Sequence, residues 1–272
     1  MDAVQLQSKA TELRRDILRM IAEAGSGHPG GSLSCTDILT ALYFGGVLKH
    51  DPADPAMEGR DWFFLAKGHA APALYAALAH AGYFPTEELM TLRKLGTRLQ
   101  GHPDSNQVPG VEVSTGSLGQ GLSIAAGTAA GLKLKGAPGT VFAVLGDGEC
   151  EEGQVWEAAM FAAHRKLGNL VAIVDHNGLQ IDGNITDVCS PEDLGAKFEA
   201  FGWEVSTMDG HDIPAIIETL NAAKNDAGKP HAIIAETVKG KGVSFMENQA
   251  GWHGKAPNAE QLEQALAELA AE

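Results

Sequence analysis

The second half of the sequence alternates between short apolar segments and longer segments with helical periodicity, and this alternation limits the possible folds more than any other feature. The helical segments lie near residues 152–166, 191–200 and 212–225. Strands that are joined through helices run parallel and are covered on both faces. The pattern therefore predicts an α/β fold, with a parallel sheet and helices on both faces. The strand segments are Thr140–Leu145, Leu170–Asp175, Trp203–Thr207 and Ala232–Ala235.

The beginning of the chain is predicted to form two helices. Apolar residues at helical spacing indicate a helix over about residues 4–24, and a loop over residues 27–31 follows it. Ser34 lies three residues before Asp37, which is a capping pattern, so a second helix is predicted to begin there and to continue to Phe44. We expect these helices to form an extension of the α/β domain.

One strand and two helices are predicted between this extension and the alternating region. The strand is Asp61–Leu65, an alanine-rich helix follows the turn Lys67-Gly68-His69, and another helix runs from about Leu118 to Lys135. The last segment, Ala259–Glu272, is predicted to be an acidic helix with a solvated face. Because no segment resembles a linker, we expect a single domain over residues 1–272.

Charge and cysteine content restrict the setting in which the protein works. With 20 Lys and Arg against 35 Asp and Glu, the formal charge is −15, which argues against binding to nucleic acid or to an anionic membrane. No apolar stretch reaches the roughly 18 residues of a membrane-spanning helix. Cys35, Cys150 and Cys189 are widely spaced and odd in number, which favours a reducing compartment, and we expect the cytoplasm.

Polar residues follow two successive strands of the alternating region. Gly146-Asp147-Gly148 follows the first strand, and Asp175-His176-Asn177 follows the next. One strand-helix-strand crossover separates Asp147 from Asn177, so both side chains are expected at the same edge of the sheet, where α/β proteins bind ligands. A carboxylate, an amide oxygen and a backbone carbonyl suit a hard cation such as Mg²⁺. A glycine-rich turn alone would indicate only a tight connection, and the asparagine at this spacing favours the cation site.

The segment from Gly146 to Asn177 resembles the thiamine-diphosphate signature, and further motifs make nearly the whole chain similar to the transketolase family. Several independent motifs occur in the family's order, which makes chance resemblance improbable. These motifs are Ser26-Gly27-His28-Pro29-Gly30, Lys67-Gly68-His69-Ala70, Gly101-His102-Pro103, the segment Gly110–Gly121, Asp209-Gly210-His211-Asp212, Lys239-Gly240-Lys241-Gly242 and Trp252-His253-Gly254.

The resemblance implies a thiamine-diphosphate-binding fold, of which this chain is the diphosphate-binding domain. It implies that Asp147, Asn177 and the carbonyl of Leu179 hold Mg²⁺, or Ca²⁺ or Mn²⁺ in its place, against the cofactor diphosphate. Gly116 and Leu118 would lie along the cofactor. The full set of residues assigned to thiamine diphosphate is His69, Gly116, Ser117, Leu118, Gly146, Asp147, Gly148, Glu149, Asn177, Leu179 and His253.

Four histidines in glycine-flanked loops are the expected catalytic residues. By the resemblance, His28, His69, His102 and His253 line the cleft where a sugar meets the reactive carbon of the cofactor. A single histidine beside a glycine is more often a turn residue, so this interpretation depends on the group. Imidazole suits the task because its ordinary pKa near 6.5 allows proton exchange and hydrogen bonding at neutral pH.

The reaction implied by the resemblance is transfer of a two-carbon ketol unit from a ketose phosphate to an aldose phosphate, as in the pentose phosphate pathway. Full-length transketolases carry a second, pyrimidine-binding domain with the glutamate that activates the cofactor, and nothing in this sequence resembles that domain. We therefore expect the N-terminal subunit of a split transketolase, active only with a C-terminal partner subunit, in a heterotetramer of two copies of each. Glu152 and Glu157 are predicted on one helix face, where by the resemblance they match acidic residues that connect active sites in the family, or else form an ordinary surface pair.

Two alternatives remain open at this point. The chain could be a subunit of a related enzyme that acts on another ketose or resembles deoxyxylulose-phosphate synthase. It could also be a non-catalytic cofactor-binding module. The presence of Asp147, Asn177 and the loop histidines argues against loss of catalysis.

Overall fold

The structure is a computed structural model that describes residues 1–224 and 228–271. Its helices are Ala3–Ala24 (α1), Pro29–Ser34 (α2), Thr36–Phe44 (α3), Ala71–His80 (α4), Gln120–Lys135 (α5), Gly153–His164 (α6), Ile185–Cys189 (α7), Leu194–Ala200 (α8), Ile213–Lys224 (α9) and Ala259–Ala271 (α10). Its strands are Trp62–Leu65 (β1), Val141–Gly146 (β2), Leu170–His176 (β3), Leu179–Gln180 (β4), Gly183–Asn184 (β5), Glu204–Asp209 (β6) and His231–Glu236 (β7). The ends of the helices predicted to reach residues 225 and 272 lie outside the described residues.

The main sheet is parallel throughout and has the strand order β1-β2-β3-β7-β6. Strands β4 and β5 pair antiparallel beside it, in a small hairpin that the sequence pattern did not predict. Within the main sheet, Gly146 at the end of β2 pairs with Asp175 near the end of β3, and Asp175 in turn pairs with Ala235 of β7. The polar residues that follow these strands therefore lie at the same edge of the sheet, the one at the carboxyl ends of the strands.

Side chains of each central strand alternate between two apolar clusters, one on each face of the sheet. In β2, Phe142 and Val144 pack with helices α1, α3, α4 and α9, whereas Ala143 and Leu145 pack with α5, α6 and α8. Strands that are buried on both faces need apolar residues at every position, which explains the continuous apolar segments in the sequence. The prediction of a parallel α/β sheet with helices on both faces is confirmed.

The predicted helix start at Ser34 is wrong. The loop expected over residues 27–31 enters α2 at Pro29, and α3 starts at Thr36 without a side-chain cap. The Ser34 hydroxyl instead donates to Asp175 Oδ2 at 2.5 Å, and Asp37 forms an ion pair with Arg14. Both side chains of the capping pattern are buried, and they satisfy partners on other elements rather than the helix end.

Helix α10 places its acidic residues in solvent, as predicted, and also has a buried apolar side. Ala265 and Leu269 are buried, while Glu260 and Glu263 are exposed. Arg15 of α1 donates to the Leu269 carbonyl at 2.8 Å, so the helix packs against α1. No helix within residues 1–224 or 228–271 combines the length and the apolar composition needed to cross a bilayer.

Candidate active site

A cleft with a volume of about 360 Å³ lies at the carboxyl edge of the main sheet. This volume lies within the usual range for small-molecule sites, and its place in the fold is where parallel sheets bind ligands. Loops that follow β1, β2, β3 and β7 all contribute to its wall. The predicted site residues that line it are His28, His69, Gly116, Leu118, Gly146, Asp147, Gly148, Glu149, Asn177, Leu179 and His253.

Ser117 and His102 are the predicted residues that do not line this cleft. Ser117 is exposed, on the turn between two residues that do line it. His102 lies just behind the wall, because a Cβ atom added to Gly116 would be 3.0 Å from its ring. Gly116 has a φ of 147°, a conformation that favours glycine, so the loop can pass close to the imidazole.

Asp147 and Asn177 meet at the ends of β2 and β3, in the arrangement that the sequence predicts. The Asp147 carboxylate accepts hydrogen bonds from the backbone N–H of Gly148 at 2.8 Å and of Gly178 at 2.6 Å. The Asn177 side-chain oxygen accepts from the N–H of Leu179 at 3.2 Å. These contacts fix the carboxylate and the amide in the wall of the cleft, to which Leu179 also contributes.

Asp147 is a buried carboxylate that would gain from a nearby cation. Burial raises its pKa, the charge of Asp175 raises it further, and the amides of Gly148 and Gly178 act in the opposite direction. A divalent ion at this position would compensate the buried charge. Within the described residues, no cluster of three or more His, Cys, Asp or Glu side chains could hold a metal, so a metal here would depend on this mixed set of carboxylate, amide and carbonyl oxygens. Such a set suits Mg²⁺.

Behind Asn177, a buried ionic pair holds the floor of the cleft. Asp175 is fully buried and accepts hydrogen bonds from Lys67, Ser34 and Thr237. Burial alone would raise the pKa of Asp175, but Lys67 and the hydroxyl donors lower it. The Asn177 side-chain N–H contacts the same carboxylate at 3.4 Å, which orients the Asn177 oxygen toward the cleft.

Three of the predicted catalytic histidines form a cluster at the cleft. Ring centroids lie 5.3 Å apart for His28 and His69, 5.4 Å apart for His28 and His253, and 5.1 Å apart for His69 and His253. The Nδ1 atom of His28 is buried without a hydrogen-bond partner among the described residues. An unpaired buried nitrogen is costly, so this atom is available to a ligand that enters the cleft.

The environment keeps these rings neutral at physiological pH. Burial, together with the charges of Arg93, His102 and Lys239, lowers the pKa of His28 to about 4. Burial and Lys239 lower the pKa of His253 to about 3, and burial with Lys67 lowers that of His69. A neutral imidazole offers one donor and one acceptor, so the cluster can orient hydroxyl and carbonyl groups of a bound sugar.

Glu149 braces two loops of the cleft. Its carboxylate accepts from the N–H of Gly119 at 2.9 Å and of Gly146 at 3.1 Å. Burial raises its pKa to about 7, although these two amides act in the opposite direction. The side chain thus joins the loop before α5 to the end of β2.

Two lysines that sequence reasoning left without a role enter the cleft. Lys67 is buried against Asp175 and also donates to the Gly31 carbonyl at 2.7 Å. Lys239 donates to the Leu179 carbonyl at 3.0 Å and lies 3.1 Å from Nδ1 of His253. Both occur in motifs that carry the family resemblance, Lys67-Gly68-His69 and Lys239-Gly240-Lys241-Gly242, so their glycine neighbours were the signal that could have identified them.

Glu152 and Glu157 do not share one helix face. Glu152 precedes α6 as its N-cap residue and lines the cleft, whereas Glu157 lies within α6 and is exposed. A 3₁₀ turn over Gly148–Glu151 separates Asp147 from α6, so the first residues after the Gly-Asp-Gly turn are not yet in the helix.

The fold and the cleft define an α/β protein that binds a small charged molecule at the carboxyl edge of a parallel sheet. Residues 7–272 match a family profile described as "Transketolase, thiamine diphosphate binding domain". The chain therefore belongs to the transketolase family, as its thiamine-diphosphate-binding domain, and it is a ketol-transferring subunit of the transketolase type.

Similar proteins of nearly equal length are named as subunits. The 6-deoxy-6-sulfo-D-fructose transketolase subunit SqwG of Clostridium sp. (strain MSTE9) is 45% identical over 266 residues, which cover 98% of this chain and 96% of that protein. A subunit of the apulose-4-phosphate transketolase from Actinobacillus succinogenes is 43% identical, with 97% of this chain and 96% of that protein covered.

The fold also matches solved transketolases. The transketolase of Campylobacter jejuni superposes with a TM-score of 0.92 at 34% identity, and the match covers 99% of this chain and 43% of that chain. A Pichia stipitis transketolase gives a TM-score of 0.92 at 32% identity and is covered to 41%. This chain thus spans less than half the length of these solved transketolases.

Proposed function

We propose that this chain is the thiamine-diphosphate-binding subunit of a two-subunit transketolase, active when a partner subunit supplies the pyrimidine-binding domain. The observation that carries this proposal is that one cleft is lined both by the buried pair Asp147 and Asn177 and by the cluster His28, His69 and His253. A cleft of this kind combines a site for a metal and a diphosphate with groups that can orient a sugar. The relatives named as subunits, which are nearly equal to this chain in length, support a separate partner.

Asp147, Asn177 and the carbonyl of Leu179 would hold Mg²⁺ against the cofactor diphosphate, with Ca²⁺ or Mn²⁺ as substitutes. The buried charge of Asp147 supports this assignment, as does the open space at Gly146, where the nearest non-adjacent residues, Glu149 and Lys67, lie 3.8 Å from an added Cβ. When bound, thiamine diphosphate supplies the nucleophilic carbon and the electron sink for carbon–carbon bond cleavage.

The remaining predicted residues divide into two groups by position. Glu149 and the segment Gly116-Ser117-Leu118 would shape the wall along the cofactor. His28, His69 and His253 would orient the sugar through neutral rings, and His102 would act from behind Gly116. These four imidazoles, three in the wall of the cleft and one behind it, provide hydrogen-bond donors and acceptors. Because the rings are neutral, they place no full charge beside the reacting carbon.

We propose a sugar with an anionic group as the substrate. The two named relatives act on 6-deoxy-6-sulfo-D-fructose and on apulose 4-phosphate, which both carry such a group. These names favour donors other than the ordinary pentose phosphates, although xylulose 5-phosphate with ribose 5-phosphate remains the reference pair from the pentose phosphate pathway. The three free thiols of the chain support a reducing compartment, and we propose the cytoplasm.

The test is complementation. The purified chain with Mg²⁺ and thiamine diphosphate should show no ketol transfer, and activity should appear when the partner subunit is added. The substrates to compare are xylulose 5-phosphate, 6-deoxy-6-sulfo-D-fructose and apulose 4-phosphate, each with an aldose phosphate acceptor. Robust turnover by the chain alone would contradict the proposed dependence on a partner. Cofactor binding without turnover in the presence of the partner would instead favour a non-catalytic module.

A further inference from the structure

The loop of residues 237–248, here called the Lys239 loop, carries Lys239 from the end of β7 into the cleft. Lys239 is buried, and its ammonium group contacts the carbonyl of Leu179 and the ring of His253. On the side of α2, the N–H of Gly240 donates to the carbonyl of Gly30 at 3.0 Å. The position of the ammonium group therefore depends on how the start of this loop is held.

His211 holds the start of the Lys239 loop from outside the cleft. Its Nε2 atom accepts a hydrogen bond from the backbone N–H of Val238 at 2.8 Å, and its Nδ1 atom lies 2.7 Å from Asp37 Oδ2. A backbone N–H can only donate, so Nε2 carries no proton, and the proton on Nδ1 donates to Asp37. The ring is thus fixed at both nitrogens, between a carboxylate and the residue that precedes Lys239.

Asp37 is itself fixed by a buried ion pair. Arg14 donates to Asp37 Oδ1 at 2.9 Å and to Oδ2 at 2.6 Å, and both side chains are 2% exposed. Burial alone would raise the pKa of Asp37, but Arg14 and His211 lower it. Two-point pairing of a guanidinium with a carboxylate in the interior restricts the orientation of both groups. The anchor for His211 is therefore built on α1 and α3, two helices of the core.

We infer that His211 is a positioning residue, which places Lys239 in the cleft by holding the N–H of Val238 while Asp37 and Arg14 hold its ring. This inference deepens the proposed function, on which it rests for the ligand of the site. It also gives a role to the Asp209-Gly210-His211-Asp212 motif, in which Asp209 Oδ1 accepts from the N–H of His211 at 2.9 Å.

Two substitutions separate the two contacts of the ring. A glutamine side chain reaches the position of Nε2, so His211→Gln retains an acceptor for the N–H of Val238 and loses the donor to Asp37. An asparagine side chain reaches only the position of Nδ1, so His211→Asn retains the donor to Asp37 and leaves the N–H of Val238 without its partner. The inference requires the asparagine variant to be the more damaging one for the cleft.

The first readout needs no cofactor. Hydrogen–deuterium exchange on the chain alone should show faster exchange across the Lys239 loop in His211→Asn, with unchanged exchange in α1 and α3. His211→Gln should leave the loop close to the wild type. The matched control is His80→Asn, because His80 contacts Asp16 at 2.8 Å between helices α4 and α1, away from the Lys239 loop. Unchanged loop exchange in His211→Asn would overturn the inference.

The second readout is cofactor affinity. Outer contacts that orient groups at a metal site typically change affinity by about 10- to 100-fold, so calorimetric titration with thiamine diphosphate and Mg²⁺ should give a loss of that size for His211→Asn. Rescue by His211→Gln, with His80→Asn at the wild-type value, supports the inference. Equal loss in both His211 variants would overturn it, because a general packing role predicts that result. A wild-type chain that binds no thiamine diphosphate would contradict the proposed function, while loop exchange would still decide the role of His211.

Discussion

Asp147 contributes the only carboxylate among the three groups proposed to hold the metal, and its environment favours the loss of that charge unless a cation is present. We therefore expect Asp147→Ala to weaken binding of thiamine diphosphate in the presence of Mg²⁺, and Asn177→Ala to weaken it as well. Circular dichroism should show a folded domain for both variants. Calorimetric titration with and without Mg²⁺ measures the effect, and Asp54→Ala, on an exposed loop outside the cleft, is the control. Unchanged affinity for thiamine diphosphate in both variants would contradict the assignment of Asp147 and Asn177 to the metal.

His69 and His102 are expected to act mainly on the sugar, although His69 also belongs to the set of residues assigned to the cofactor. His69 lies in the histidine cluster, and His102 packs behind Gly116. In the complete two-subunit enzyme, alanine at either position should lower kcat/KM by about 10²- to 10⁴-fold, the usual range for general acid–base groups, and largely spare cofactor affinity. The exposed His164 provides a control for loss of a histidine. A parallel loss of cofactor binding would show that the residue acts at the cofactor site rather than on the sugar.

The neutral histidine cluster predicts a specific pH dependence of stability. In the unfolded chain these residues bind protons below about pH 6.5, whereas the pKa values in the folded state are about 4 for His28 and about 3 for His253. The unfolded state therefore binds more protons between these limits, and the free energy of unfolding falls as the pH decreases from 6.5 toward 4. Urea midpoints measured from pH 7.5 to pH 4.5 should show a shallower fall for His28→Asn. An unchanged slope would show that the pKa of His28 is the same in the folded and the unfolded chain.

At the scale of elements, two glycines of α5 distinguish the effect of close packing on stability from the effect of helix propensity. A Cβ at Gly121 would lie 2.4 Å from the Cβ and 2.5 Å from the Cα of Ala66, beyond the end of β1, so helix and strand touch there without space for a side chain. Gly121→Ala should reduce the free energy of unfolding by about 1–3 kcal/mol through overpacking. Gly131 lies on the same helix, with nothing within 4 Å of an added Cβ.

Gly131→Ala is the matched comparison for Gly121→Ala. It should raise the free energy of unfolding by roughly 0.5–1 kcal/mol, because alanine favours a helix over glycine. Urea denaturation of the two variants side by side measures both effects. A gain of stability in Gly121→Ala would show that α5 does not pack against the β1 end as closely as described.

At the scale of the whole molecule, helices α5 and α6 present large apolar side chains to solvent. Ile124, Met160 and Phe161 are 37%, 58% and 39% exposed, and exposed apolar groups on neighbouring helices are typical of an interface. The family resemblance predicts a heterotetramer with two copies of each subunit. This apolar surface supports that prediction, in which a two-fold axis relates the copies. Native mass measurement of the complex with its partner should give that stoichiometry.

Substitution on the same surface tests whether it joins the copies. Met160→Glu places a charge on the apolar surface and should shift the assembly toward one copy of each subunit. Leu95→Glu, at a fully exposed apolar position outside α5 and α6, should leave the mass unchanged. A four-subunit mass in both variants would show that the copies are joined through another surface.

The sequence alone determined the parallel sheet, its strands and the edge where the polar residues collect. Apolar segments between helical ones carry that information locally, and the crossover rule fixes the direction of the strands, so Asp147 and Asn177 could be placed together before any contact was known. The alternation does not contain the strand order, in which β7 lies between β3 and β6, because neighbours in the sheet are chosen by packing.

Only the tertiary structure decided which distant side chains share a charge or a hydrogen bond. Ser34 matched a helix cap locally, yet its hydroxyl donates to Asp175, far along the chain, because a fully buried carboxylate needs hydrogen-bond donors. Lys239 and His211 lay in recognisable motifs without a role, since their partners come from other elements of the fold. Local patterns specify elements, whereas buried polar groups are satisfied across elements, and sequence spacing does not record those pairings.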